Sequence, residues 1–143
     1  PAALEHDTLP QALRRAVADW QAASAGRARA ELVVTGPAEP LHEEIEATLL
    51  RIAQEALANA ARHASASRVV VTLSYTAGEA VLDVRDDGCG FDPRALPERS
   101  AAGGFGLTGM RRRAERVAGA LDVESEPGRG TAVSARVPLV RHG

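Results

Sequence analysis

Apolar residues recur along this chain with two periods, and the switches between them divide it into eight elements. Leu13, Val17 and Trp20, spaced by four and three, predict a helix over residues 9–25. Residues 29–35 alternate weakly and end at Gly36-Pro37, which predicts a strand and a turn. A long helix is expected over 41–64, where Ile45, Leu49, Ile52, Ala56 and Ala60 form a core-facing stripe. Arg68-Val-Val-Val-Thr-Leu-Ser-Tyr75 is β-branched and reads as a strand, turning at Ala77-Gly78 into a second arm over 80–85. A glycine-bearing loop over 86–106 leads to a helix over 107–118 with an arginine-rich exposed side. Strands over 121–125 and 131–137 follow, joined by Glu126-Pro-Gly-Arg-Gly130. Hairpins with helices between them, rather than strict alternation of strand and helix, predict an α+β two-layer sandwich with a mixed sheet and helices packed on one face.

Composition narrows this picture. A chain of 143 residues can bury one real core, and with only 3% aromatics that core must be built from Ala, Val, Leu and Ile. A net charge of -2 gives no general attraction to nucleic acid, and the arginine run at 111–113 reads first as a solvated face. No apolar run approaches the roughly 18 residues of a membrane span. All 17 basic residues are arginine, which excludes a Walker-A lysine and Schiff-base chemistry. Cys89 is the single cysteine, so no internal disulfide is possible. A first residue of Pro rather than Met leads us to expect a piece of a longer protein.

Three segments carry candidate chemistry. On the long helix, Glu55, Asn59 and Arg62 share a narrow arc beside the buried stripe. Asn59 can offer its carbonyl oxygen to a metal, Glu55 can orient or deprotonate a metal-bound water, and Arg62 can meet phosphate oxygens. The same row is also a plain solvated face with polar pairs. Asp86-Asp87-Gly88-Cys89-Gly90 follows directly on a strand, so backbone can approach a flat ligand while a carboxylate accepts from an exocyclic amine. A turn or a calcium loop competes with that reading, and the calcium loop fails on spacing. Gly103-Gly104-Phe105-Gly106-Leu107-Thr108-Gly109-Met110 opens a helix, where bare N–H groups favour phosphate. A flexible loop with a capping glycine is the alternative.

The order of these motifs, Glu55-x3-Asn59-x2-Arg62-His63, Asp86-x-Gly88-x-Gly90, Gly104-x-Gly106-Leu107-x-Gly109-Met110 and Pro127-Gly-x-Gly130-Thr131, resembles the ATP-binding catalytic domain of two-component sensor histidine kinases, within the gyrase/chaperone/kinase/MutL ATPase superfamily. The run from Gly106 to Ala114 is similar to the subclass that signals to LuxR-type response regulators. The resemblance implies that Asn59 ligates magnesium and that Glu55 polarises the attacking group or holds a metal water. Arg62, where the family commonly has lysine, would contact phosphate, and His63 would lie by the nucleotide or simply end the helix. It implies further that Asp86 receives the adenine amino group with Gly88 and Gly90 beside it. Gly104, Gly106, Leu107 and Gly109 would form a lid over the phosphates, and Thr131 would support the adenine.

The expected domain is then a leading helix and linker over 1–28 and an ATPase core over 29–139. Its cofactors would be ATP and magnesium, and its partners a dimerisation and phosphoacceptor domain of the same protein and a response regulator. No direct nucleic-acid binding is expected. His6-Asp7 mimics the core of a phosphoacceptor, but too few residues separate it from Asn59 for the rest of a dimerisation hairpin. The chain is therefore expected to be monomeric and to lack its own acceptor, while the full-length protein dimerises. A cytoplasmic location is expected, whether or not the full-length protein carries a membrane anchor. Two other functions fit less of the pattern: an anti-sigma-factor-type serine kinase, and an interaction module whose nucleotide site has decayed.

Overall fold

The computed structural model describes residues 4, 6–62, 65–95 and 106–139. His63 and Gly104 lie outside the described residues. Helix α1 (Leu9–Ala23) starts at a capping box in which Thr8 and Gln11 bond each other's backbone N–H groups. It stops two residues short of the sequence expectation, where Ala25 and Gly26 turn to positive φ. Strand β1 (Arg29–Thr35) follows. Helix α2 (Glu43–Arg62) begins with Glu43, Glu44 and Glu46 against its positive end, and His42 Nδ1 accepts from Glu44 N at 3.1 Å. His42 is thus exposed and also caps the helix.

Strands β2 (Arg68–Tyr75) and β3 (Glu79–Asp86) form the expected hairpin. The loop after β3 contains a short 3-10 turn, Pro93–Ala95. Helix α3 (Leu107–Arg116) and strands β4 (Ala120–Ser125) and β5 (Thr131–Pro138) complete the chain. The sheet order is β1-β2-β3-β5-β4, antiparallel except that β1 runs parallel to β2. One strand–helix–strand crossover is therefore present, with α2 as its helix. Sequence periodicity cannot show this, because parallel pairing leaves no local mark.

Alternation places Val69, Val71, Leu73, Leu82, Val84, Val133, Ala135 and Val137 inward against the helices. The other face carries residues such as Thr72, Asp83, Arg85 and Ser134, none of them buried. The buried stripe of α2 is wider than its sequence spacing suggests, adding Leu50, Ala53 and Leu57 to the five predicted positions. The reason is a second neighbour, α1, whose Trp20 donates its indole N–H to Leu57 O at 2.7 Å. Small residues at 53, 56 and 60 let α2 lie close to its neighbours.

The helix that carries Glu55 and Asn59 is thus held from both sides. Trp20→Phe keeps an aromatic side chain but removes the hydrogen bond and part of the packing, and we expect a loss of about 1 kcal/mol or more in urea unfolding with the fold retained. An unchanged midpoint would show that the indole bond does not hold α1 to α2.

Candidate nucleotide-binding site

Strand register builds the centre of the site. Asp86 ends β3 opposite Thr131, and Thr131 stands opposite Ser125 of β4. The three form one row across the sheet at the end of its inward-facing columns. Ala56 and Asn59 of α2 face this row, and Val84, Phe91, Leu107 and Val133 close the space between them. That space is about 10 Å³, room for about one water.

Ser125 is the residue that sequence reading passed over. Its hydroxyl lies 2.8 Å from Thr131 Oγ1 and 3.0 Å from Gly130 O, and it accepts from Phe91 N at 2.9 Å. One side chain therefore links Thr131 to the loop after β3. A period-two reading from Leu121 through Val123 places a serine at an inward position, the signal that could have found it.

The glycines act largely by letting backbones meet. Gly90, at φ +63, lies so close to the β4–β5 turn that a Cβ there would sit 2.0 Å from Glu126 O. Gly130, at φ +77, would place one 2.1 Å from Asp86 O. The close approach expected at Gly90 is thus to the chain itself, and two motifs some forty residues apart in sequence are interlocked. Gly88, buried, donates its N–H to Asp86 Oδ1 at 2.9 Å. Gly106, at φ +68, is the N-cap of α3 without any side-chain cap, and a Cβ on it would lie 3.1 Å from Glu55 Oε2. The acid of α2 and the opening of α3 therefore meet. Gly109 and Leu107 belong to the first turn of α3, so among the described residues of the expected lid only Gly106 lies outside a helix. Arg62 is exposed at the last residue of α2.

The neighbouring carboxyls Asp86 and Asp87 have opposite environments. Burial pushes the Asp86 pKa up; a hydrogen bond from Gly88 N opposes this, the charge of Asp87 adds to it, and the Thr131 backbone opposes it. Asp87 is exposed and held below the usual range, first by the Ser67 hydroxyl, which donates at 2.6 Å. Ser67 N and Arg68 N donate to its Oδ1 at 2.8 and 2.9 Å. Asp87 thus ties the end of β3 to the start of β2 and leaves Asp86 to face the pocket. Among the described residues no three His, Cys, Asp or Glu side chains cluster to hold a metal by themselves, and no helix is long and apolar enough to cross a membrane.

The site thus sets an acid and an amide on a helix over a sheet that ends in a half-buried aspartate. Residues 44–141 match the family described as histidine kinase-, DNA gyrase B-, and HSP90-like ATPase, and the chain belongs to that family. It is 34% identical over 99 residues to the signal transduction histidine-protein kinase/phosphatase DegS of Bacillus subtilis (strain 168), covering 69% of this chain and 26% of that protein. DegS of Brevibacillus brevis is 35% identical over 104 residues, 73% of this chain and 26% of its own length. The chain spans about a quarter of the length of these relatives. The histidine kinase domain of the Erythrobacter litoralis EL346 blue-light activated histidine kinase superposes with a TM-score of 0.70, covering 92% of this chain and 61% of that one at 25% identity. The mycobacterial sensor histidine kinase MprB shares the fold at 22% identity, with a TM-score of 0.65 over 91% of this chain and 93% of that one. The chain is an ATP-binding catalytic domain of the histidine-kinase type, in the α+β fold expected from its sequence.

Because Asp87 is held below its unfolded pKa, its bonds stabilise the fold above the ordinary carboxylate range and are lost as pH falls through the folded value. Asp87→Ala should therefore destabilise the protein near about pH 7 and much less near about pH 3, read from urea unfolding at both. Equal losses at the two pH values would show that the carboxylate charge plays no part in the anchor.

Proposed function

We propose that this domain positions Mg-ATP for transfer of the γ-phosphoryl group to a histidine on a dimerisation domain of the same protein. The observation that carries this is the row Asp86, Thr131, Ser125 placed under Asn59, beside an uncapped helix N-terminus that meets Glu55. Asp86 accepts from the exocyclic amine of adenine, a neutral donor suited to a half-buried carboxyl. Thr131 supports that end of the purine. Leu107 and Phe91 cover its face once they have moved aside to admit it. The N–H groups opening α3 receive phosphate oxygens, and Arg62 supplies a further phosphate contact; the roles of His63 by the nucleotide and Gly104 in the lid rest on the sequence resemblance alone.

The side chains suit magnesium, a hard cation that prefers oxygen ligands and needs few of them from the protein. Asn59 would offer the ion its amide oxygen, and Glu55, one turn away on α2, would hold a water beside it. When bound, the ion neutralises charge on the transferring phosphate. The imidazole nitrogen of the acceptor attacks the γ-phosphorus while the bond to the bridging oxygen breaks and ADP leaves, with Glu55 placed to polarise the attacking group. What the protein contributes is position and charge, which dominate phosphoryl transfer.

We propose a LuxR-type response regulator as the next acceptor, a dimer for the full-length protein, a monomer for this chain, and a cytoplasmic location. His6 is not the acceptor in this reading, so the chain alone should form little or no acid-labile phosphohistidine from labelled ATP. Stoichiometric labelling would overturn that assignment. An acid-stable product on a partner would favour serine phosphorylation instead.

Calorimetry tests the site itself. ATP should bind more tightly with magnesium than without, and Asp86→Asn should weaken binding by roughly tenfold or more, the cost of losing a charge-assisted bond. No binding by the unsubstituted chain would contradict the reading.

A further inference from the structure

Helix α3 carries arginine at 111, 112, 113 and 116, and the structure separates them. Arg111, Arg112 and Arg116 are exposed, whereas Arg113 is half-buried. Its guanidinium folds back along the helix, so that a Cβ on Gly109 would lie 3.4 Å from Arg113 Nη1. Gly106 and Arg113 are seven residues apart and share one face of α3, the face that meets Glu55 at Gly106. From the level of Gly109 to that of Gly106 is three residues, about 4.5 Å along the axis. The cation therefore stands one short reach from the uncapped N–H groups that open the helix. The first turn of α3 contains no acidic residue, and among the described residues Arg113 makes no ion pair. A half-buried guanidinium beside a positive helix end, without a carboxylate partner among the described residues, is suited to an anion.

We propose that Arg113 is a phosphate-binding residue of this site, contacting the β- or γ-phosphate of the nucleotide, while its arginine neighbours on α3 do not. Gly109 serves it by leaving the surface of the first turn bare, so the guanidinium can lie flat against the helix. This rests on the nucleotide reading above and goes beyond it by assigning the phosphate side a cation from α3.

The test compares ATP with adenosine, each measured by calorimetry or by displacement of a fluorescent nucleotide. Arg113→Gln should weaken ATP by roughly tenfold or more, as expected for a hydrogen bond to a charged group, and leave adenosine unchanged. Arg112→Gln removes the same charge from the same helix and should leave both affinities unchanged. Arg113→Lys should fall between Arg113→Gln and the unsubstituted chain, because the charge is kept and the fork is lost. That variant also carries the test if Arg113→Gln fails to fold, as judged by thermal unfolding. Equal losses in Arg112→Gln and Arg113→Gln would overturn the proposal in favour of a diffuse field. A parallel loss of adenosine binding in the Arg113 variants would overturn it in favour of a structural role. Binding of adenosine but no gain from the phosphates in the unsubstituted chain would also overturn it, leaving the nucleoside pocket intact. If the unsubstituted chain binds neither, the nucleotide reading falls as well.

Discussion

Asp86 must be the last inward residue of β3 and must stand opposite Thr131, and most of the site follows from that pairing. A slip of one residue between β3 and β5 would put the two side chains on opposite faces of the sheet. The pairing is fixed beyond the ladder itself. Gly130 brings its backbone onto that of Asp86, and Gly90 brings the following loop onto the β4–β5 turn. Asp87 then binds the start of β2. Three strands are thereby held at one corner, and the carboxyl that faces the pocket belongs to the residue at its centre.

The two adjacent acids show how sequence neighbours acquire different work. Asp87 is satisfied by two N–H groups and a hydroxyl and stays charged over a wide pH range. Asp86 is partly stripped of water, its Oδ1 accepting at 2.9 Å from Gly88 N. The first arrangement builds structure. The second keeps an unfavourable burial in a place where a ligand can compensate it, a pattern found where function outranks stability.

Much of this was legible in the sequence, for identifiable reasons. Strands β1 and β2 have the predicted bounds because β-branched runs end at glycine or polar turns. The core stripe of α2 follows its 3.6-residue period, and Asn59, Asp86 and Thr131 come together as their motifs imply. The parallel β1–β2 pair, the Ser125 hydroxyl network and the Asp87–Ser67 anchor were not legible. Each depends on residues distant in sequence meeting in register, and no local pattern records that. Gly90 illustrates the boundary. Its glycine identity signals a close approach, but only the fold shows that the approaching group is the carbonyl of Glu126.

The burial of Asp86 ties ligand occupancy to protons. In the folded protein this carboxyl holds its proton to higher pH than it would in an open chain, so its ionisation works against folding. An amine that donates to the ionised form reverses that balance. With the adenine contact proposed for Asp86, nucleotide uptake in the acid range would expel a proton, and affinity would climb as pH rises through the titration of this carboxyl. The free and the occupied domain would then differ in buffering as well as in contacts, and a heat of binding measured in two buffers would carry that difference directly.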